Sequence, residues 1–148
     1  ALQGATTMKE HTKQLVIEIL RDFQDIPQHI KDREEELRHP VVPRDENVGG
    51  GRAQYKPNDA IDRLIITIDE DERLHKLKEE YEVVDYCYRH ADDYTQKIIY
   101  ELYIKRYPSY TMQGLIENGI IPYSQKTAYK MRNKFLKEVA KRLGIDSL

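Results

Sequence analysis

The sequence predicts an all-α protein: an acidic N-terminal helical body over residues 8–93 that contains a long helix, followed by a basic helix-turn-helix unit over residues 94–148. Three observations lead there. Gly and Pro number 7 and 6 in 148 residues, too few breakers for the many short strands of a sandwich or barrel. Charged residues make up 34% of the chain, which suits solvated helices. Apolar residues recur at spacings of three and four, the period of a helix with one buried face.

Leu15, Val16, Ile19, Leu20 and Phe23 place the first amphipathic helix over 9–23. Pro27 interrupts the pattern. A second helix over 28–38 sets Ile30 and Leu37 on one side and Glu34, Glu35 and Glu36 mostly outside, and Pro40 ends it. Residues 39–57 hold Pro40, Pro43, Gly49, Gly50, Gly51 and Pro57, so a linker or ordered loop is expected. The triple glycine is not read as a phosphate cradle, because no Gly-Lys-Ser/Thr follows it and no strand pattern precedes it.

Asn58 or Asp59 is expected to cap a long helix through about His90. Ile61, Leu64, Ile65 and Ile68 form one stripe on it. Beyond the acidic break at 69–72, a second stripe out of phase with the first runs through Leu74, Leu77, Tyr81, Val84 and Tyr88. Its alternating spacing is that of a coiled-coil seam. Such a stripe either packs on the N-terminal helices or forms a homodimer contact. A further helix over 95–106 carries Ile98, Ile99, Leu102 and Tyr103, and Pro108 stops it. Then follow a short helix over 111–118, the turn Gly119-Ile120-Ile121-Pro122, and a final helix from Ser124 to Leu143 with Gly144 as its breaker.

A net charge of −2 hides a strong asymmetry. Residues 95–148 carry ten Lys/Arg against four Asp/Glu, a net +6, which leaves 14 against 22, a net −8, for the rest. A basic segment joined to an acidic body is an electrostatic footprint for a polyanion. A solvated charged helix is the plain alternative.

Other classes fit poorly. Cys87 is the single cysteine, so no intrachain disulfide forms, which fits a reducing cytoplasm. No apolar run approaches the roughly 20 residues that span a bilayer, and no basic-then-apolar leader opens the chain. Cys87 and His90 lie one helical turn apart, but no second pair has zinc spacing, so no metal is expected. Acidic pairs such as Asp92-Asp93 and Glu79-Glu80 lack a nearby nucleophile or base pattern. Neither an enzyme nor a cofactor is expected.

The final helix carries the functional reading. Ser124 stands where an N-cap belongs. Ala128, Met131, Phe135, Val139 and Leu143 form its buried face. The first turns of a recognition helix reach base edges in the major groove. Lys donates to guanine, whereas Gln and Asn can bond adenine in bidentate fashion. The expected base readers are Gln125, Lys126, Tyr129, Lys130 and Asn133. Ser124, Thr127, Arg132 and Lys134 are expected on phosphates, which position without specifying. Leu115 and Ile116 should brace the reader against Ala128 and the 95–106 helix. Tyr94, Tyr100, Tyr103, Tyr107 and Tyr110 cluster just upstream and are read mainly as core with hydroxyls at the edge.

The stretch from Leu37 to Gly51, with Pro40-x-x-Pro43-x-Asp45-x-Asn47-x-Gly49-Gly50, then a long helix and this C-terminal unit, resembles the RinA/ArpU-type phage transcriptional regulators. Those are late-gene activators of phages and prophages in Gram-positive bacteria, and the resemblance spans nearly all of the chain after Met8. The segment from Ser124 to Lys130, with Leu143-Gly144, is also similar to the promoter-reading C-terminal domain of sigma factors. The resemblance implies sequence-specific binding to double-stranded promoter DNA and activation of late operons with bacterial RNA polymerase, in the cytoplasm of a bacterial host cell. It places capping and reading positions on Ser124, Gln125, Lys126, Thr127 and Lys130. One departure is the turn between Ile116 and Ser124, about two residues longer than in compact members, with Pro122 holding Ile121 out of helix geometry. Two rivals remain: a small-terminase-like DNA-packaging module, and an adaptor that binds polymerase or a sigma factor without reading DNA.

Overall fold

A computed structural model describes residues 8–39 and 57–147 of the chain. The Gly/Pro segment at 40–56, with the triple glycine and most of the loop that carries the resemblance, lies outside them. Among the described residues all regular structure is helical: α1 (Glu10–Asp22), α2 (Ile26–Arg38), α3 (Pro57–Glu70), α4 (Glu72–His90), α5 (Asp93–Ile99), α6 (Met112–Glu117) and α7 (Gln125–Leu143).

Pro27 does not separate the first two helices as its position suggested. It sits in the first turn of α2, where a missing N–H leaves no helical bond unmade. A single 3₁₀ turn, Phe23–Asp25, joins α1 to α2. Ile26 is buried at this bend and anchors it.

The one long helix expected from residue 58 to 90 is two helices, broken at Asp71. Asp71 leaves helical geometry at ψ 113°, and its Oδ1 accepts from the Leu74 N–H at 2.8 Å. Arg33 of α2 grips the same carboxylate, Nε to Oδ1 at 3.2 Å and Nη2 to Oδ2 at 2.7 Å. One acidic side chain therefore both starts α4 and fastens it to α2. The Arg33 guanidinium first, and the Leu74 N–H second, hold the Asp71 carboxyl below the usual carboxylate range.

The two apolar stripes have different fates. Ile61 and Ile65 of α3 are exposed. The α4 stripe turns inward: Leu74 and Val84 are fully buried, and Tyr81 stacks on Phe23 with ring centroids 4.9 Å apart. Leu74, Tyr81 and Val84 thus pack within the chain, as one of the two readings of the stripe had it, while Leu77 and Tyr88 are half-buried.

Helix α5 starts two residues earlier than its apolar pattern indicated. Asp92 is its cap, accepting from the Thr95 N–H at 2.7 Å and from the Thr95 hydroxyl at 3.1 Å. After Ile99 the helix widens into a π turn, Tyr100–Ile104, in which the Lys105 N–H donates to the Tyr100 carbonyl at 2.8 Å. The wider turn buries the neighbours Tyr103 and Ile104 together. The Gln96 side chain donates to the Tyr88 carbonyl at 2.7 Å and so closes the last turn of α4.

Two apolar clusters hold these helices. The larger unites Val16, Ile17 and Leu20 of α1 with Val84 and Cys87 of α4, Ile99, Tyr103 and Ile104 of α5 and its π turn, and Phe135, Leu136, Val139 and Ala140 of α7. It runs across position 93/94. The smaller joins Ile98 of α5 to Met112 and Leu115 of α6, Ile121 of the turn, and Ala128 of α7. The adjacent Ile98 and Ile99 thus serve different clusters, and α5 is the wall between them.

Leu136 is fully buried in the larger cluster. Leu136→Ala should lower the unfolding free energy by about 2–5 kcal/mol in urea titration; a negligible change would show that this cluster does not hold α7. Asp71 supplies a pH test. Its folded pKa is depressed, so its contribution is full above the ordinary carboxylate pKa, near 4, and fades as pH falls through the lower folded value. Asp71→Asn should therefore melt earlier than the parent at neutral pH, and the gap should close in acid. A gap that persists unchanged at low pH would refute the assignment.

Candidate nucleic-acid interface

Helix α7 is fixed at both ends by local chemistry. Ser124 is extended at ψ 158°; its hydroxyl oxygen accepts from the Thr127 N–H at 3.3 Å, and its O–H donates to the Thr127 hydroxyl oxygen at 3.1 Å. At the far end Gly144 adopts φ +72°, and the Ile145 N–H reaches back to the Ala140 carbonyl at 2.9 Å while Gly144 bonds to Lys141. Helix α6 closes in the same way: Gly119 at φ +71° bonds to Ile116, and Ile120 reaches Leu115 at 3.0 Å. Both are Schellman stops, with a left-handed glycine and an apolar residue folded back on the helix. Thr111 caps the start of α6 through the Gly114 N–H at 3.0 Å. The long turn before Ser124 is packed: Ile121 is buried beside Leu115 and Ala128.

The buried side of α7 is wider than its single apolar stripe implied. Ala128, Phe135 and Val139 are buried as expected, while Met131 and Leu143 are only partly so. Leu136 and Ala140 were missed, because they face a second partner: one flank of α7 meets α5 and the other meets α1 and α4. A single-stripe reading assumes one neighbour.

The opposite side is a lysine ridge. At about 100° per residue, Lys126, Lys130, Lys134, Lys137 and Lys141 fall within an arc of about 80° and run for about 22 Å along the helix. All five are exposed. Among the described residues none of them has an ion-pair partner. No acidic residue occupies the first turn of α7, so the positive end of its dipole adds to the ridge.

The expected site residues divide into two groups. Lys126, Thr127, Lys130 and Lys134 are exposed on or beside the ridge; Gln125 is exposed about 100° round the helix from Lys126, and Ser124 is exposed but engaged in capping. Tyr129, Arg132 and Asn133 are half-buried on one flank and bound to each other. The Arg132 guanidinium lies 4.7 Å from the Tyr129 ring centre and donates to Asn133 Oδ1 from Nε at 3.1 Å and Nη2 at 2.8 Å. Its Nη1 donates to the Tyr103 hydroxyl at 3.3 Å. Tyr103 thus reaches the interface from the π turn, a contact with no signature in the sequence.

A second flank joins Tyr94 of the upstream tyrosine cluster to Tyr123 and Lys97, which the sequence pattern did not single out. Tyr123, immediately before the cap, meets Tyr94 edge-on at 5.4 Å, and the Lys97 ammonium lies 5.2 Å from the Tyr94 ring centre. Lys137 and Lys141 belong to the ridge by their spacing, a signal legible in the sequence. Behind α7, a cleft of about 300 Å³ opens between α4, α5 and α7, with Cys87, Met131 and Phe135 among its lining and Lys134 at its rim. Burial, the larger influence, raises the Cys87 thiol to about 11 against a smaller opposing pull from Arg142. Among the described residues no cluster of three or more His, Cys, Asp or Glu is placed to hold a metal, and no helix is long and apolar enough to cross a membrane.

Residues 11–141 match the family DUF722, a protein family of unknown function. The chain belongs to the DUF722 family. The match runs from the first turn of α1 to the last turn of α7. No curated protein and no solved structure matches the chain.

The state of Cys87 gives a direct test of the packing behind the ridge. A neutral buried thiol reacts slowly, because the thiolate is the nucleophile. Iodoacetamide at pH 8 should modify native Cys87 at least about tenfold more slowly than the urea-unfolded chain; equal rates would contradict the packing of α4 on α7.

Proposed function

We propose that α5, α6 and α7 form a helix-turn-helix and that the chain is a sequence-specific DNA-binding regulator of transcription. The lysine ridge carries this reading. Five ammonium groups, without an ion-pair partner among the described residues, are held in line on the outer face of a helix whose inner face is locked into two apolar clusters. Such an array is a match for a polyphosphate groove. The smaller cluster supports the same reading, since it is built from one residue or more of each of three successive helices, the minimum for such a unit.

The reader is the N-terminal half of α7. Gln125, Lys126 and Lys130 face base edges, while Ser124, Thr127 and Lys134 border the phosphates. Lys137 and Lys141 extend the ridge beyond the groove and act on the backbone alone. The acidic helices lie on the other side of the clusters and keep the cationic surface confined to one face.

The resemblance to RinA/ArpU-type regulators supports an activator of phage or prophage late genes, acting with host RNA polymerase in the bacterial cytoplasm. No catalytic step is assigned.

Fluorescence anisotropy against duplexes selected from the phage or host genome tests the proposal. Lys126→Ala and Lys130→Ala should each weaken binding to the selected duplex by about 1–3 kcal/mol and relax its sequence preference. Lys137→Ala and Lys141→Ala should weaken all duplexes alike and reduce the salt slope by about 0.9 for each phosphate no longer neutralised. Absence of salt-dependent binding to any duplex would favour an adaptor instead, and a many-subunit ring in light scattering would favour a packaging module.

A further inference from the structure

Asn133 enters the interface with its acceptor already filled. Arginine has five N–H donors and no acceptor, so the Asn133 atom that faces Arg132 must be the carbonyl oxygen. Nε and Nη2 converge on that oxygen at 3.1 and 2.8 Å, one hydrogen bond for each of its lone pairs. Arg132 is itself held from two further sides, by the Tyr103 hydroxyl and the face of Tyr129. The fork is therefore part of the packed structure, anchored through Tyr103 to the larger apolar cluster. What Asn133 has left to offer is its NH2 group, a donor.

Asn133 adjoins the ridge. Lys130 precedes it by three residues and Lys137 follows it by four, the spacings of neighbours on one helical face. Both are donors only. Adenine needs an acceptor for its N6 amino group as well as a donor for N7, and this is how a free asparagine reads it. Guanine presents two acceptors, N7 and O6, side by side.

We infer that the middle of α7 is a donor-only reading surface, and that Arg132, acting as a positioning residue, turns Asn133 from an adenine reader into a guanine reader. The inference rests on the DNA-reading proposal above. It assigns the bound sequence a guanine at the position under Asn133. Adenine recognition by α7 falls to Gln125 alone, which is exposed and has both a donor and an acceptor free.

Selection of bound duplexes from a randomised pool by the full chain, repeated with Asn133→Ala, identifies the base pair that depends on Asn133. That base should be guanine. Its replacement by adenine should weaken the parent by about tenfold and leave Asn133→Ala unchanged. 7-Deazaguanine, which lacks only the N7 acceptor, placed at each guanine of the parent's selected site in turn should weaken the unaltered chain at one of them, which needs no variant to fold; a selected site at which no guanine responds overturns the inference. Arg132→Met, which keeps the packing stem but removes the fork, should admit adenine at that position with discrimination reduced to under about threefold; a merely structural role would lower affinity without moving the preference. Adenine selected at the Asn133-dependent position, or an unaltered preference in Arg132→Met, overturns the inference and leaves DNA reading intact. Failure to bind any duplex overturns both.

Discussion

Helix α7 is gripped along nearly its whole length by α1, α4, α5 and α6, and α2 is fastened in turn to α4. Its start closes the small cluster around Ile98, Leu115 and Ala128, and its second half fills the larger one with Phe135, Leu136, Val139 and Ala140. Removing that apolar surface from water is worth about 25 cal/mol per Å², and α5 joins the same two clusters through Ile98 and Ile99. The consequence for the outer face is geometric. With more than half of the circumference committed to packing, every lysine of α7 falls on what remains.

Polar chemistry sets where the helices begin and end. Asp71, Asp92, Thr111 and Ser124 each accept an otherwise orphaned N–H at a helix start. Asp71 does more, because Arg33 clamps it from another helix. A cap that is also an inter-helix tether makes local and tertiary structure depend on one carboxylate. The two left-handed glycines do the corresponding work at the C-terminal ends of α6 and α7, and each folds an isoleucine back onto its own cluster.

The interface inherits its order from this scaffold. The ridge lysines are separate, solvated charges whose contribution is electrostatic and salt-sensitive. The Arg132 cluster is different in kind, since its hydrogen bonds are directed and tie the reading face to Tyr103 in the core. On the proposed function, charge would bring a polyanion to this face and directed donors would decide what is recognised there. Placing both on one helix, flanked by the Tyr94–Tyr123 edge contact, gives attraction and discrimination a common frame.

Much of this was written in the sequence. Helical class, the positions of α1, α6 and α7, the Ser124 cap, the Gly119 and Gly144 stops and the charge asymmetry all follow from neighbours within about four residues of one another. Local periodicity is a complete description at that range. The clamping of Asp71, the inward turn of the Leu74–Val84 seam, the burial of Leu136 and Ala140, and the Tyr103–Arg132–Asn133 chain were decided by tertiary structure. Each depends on a partner far along the chain: Arg33 for Asp71, Phe23 for Tyr81, α1 and α4 for α7, the π turn for Arg132. A sequence records which side of a helix is apolar, but not how many neighbours that side must meet, and it records a polar group without saying which of its lone pairs the fold has already filled.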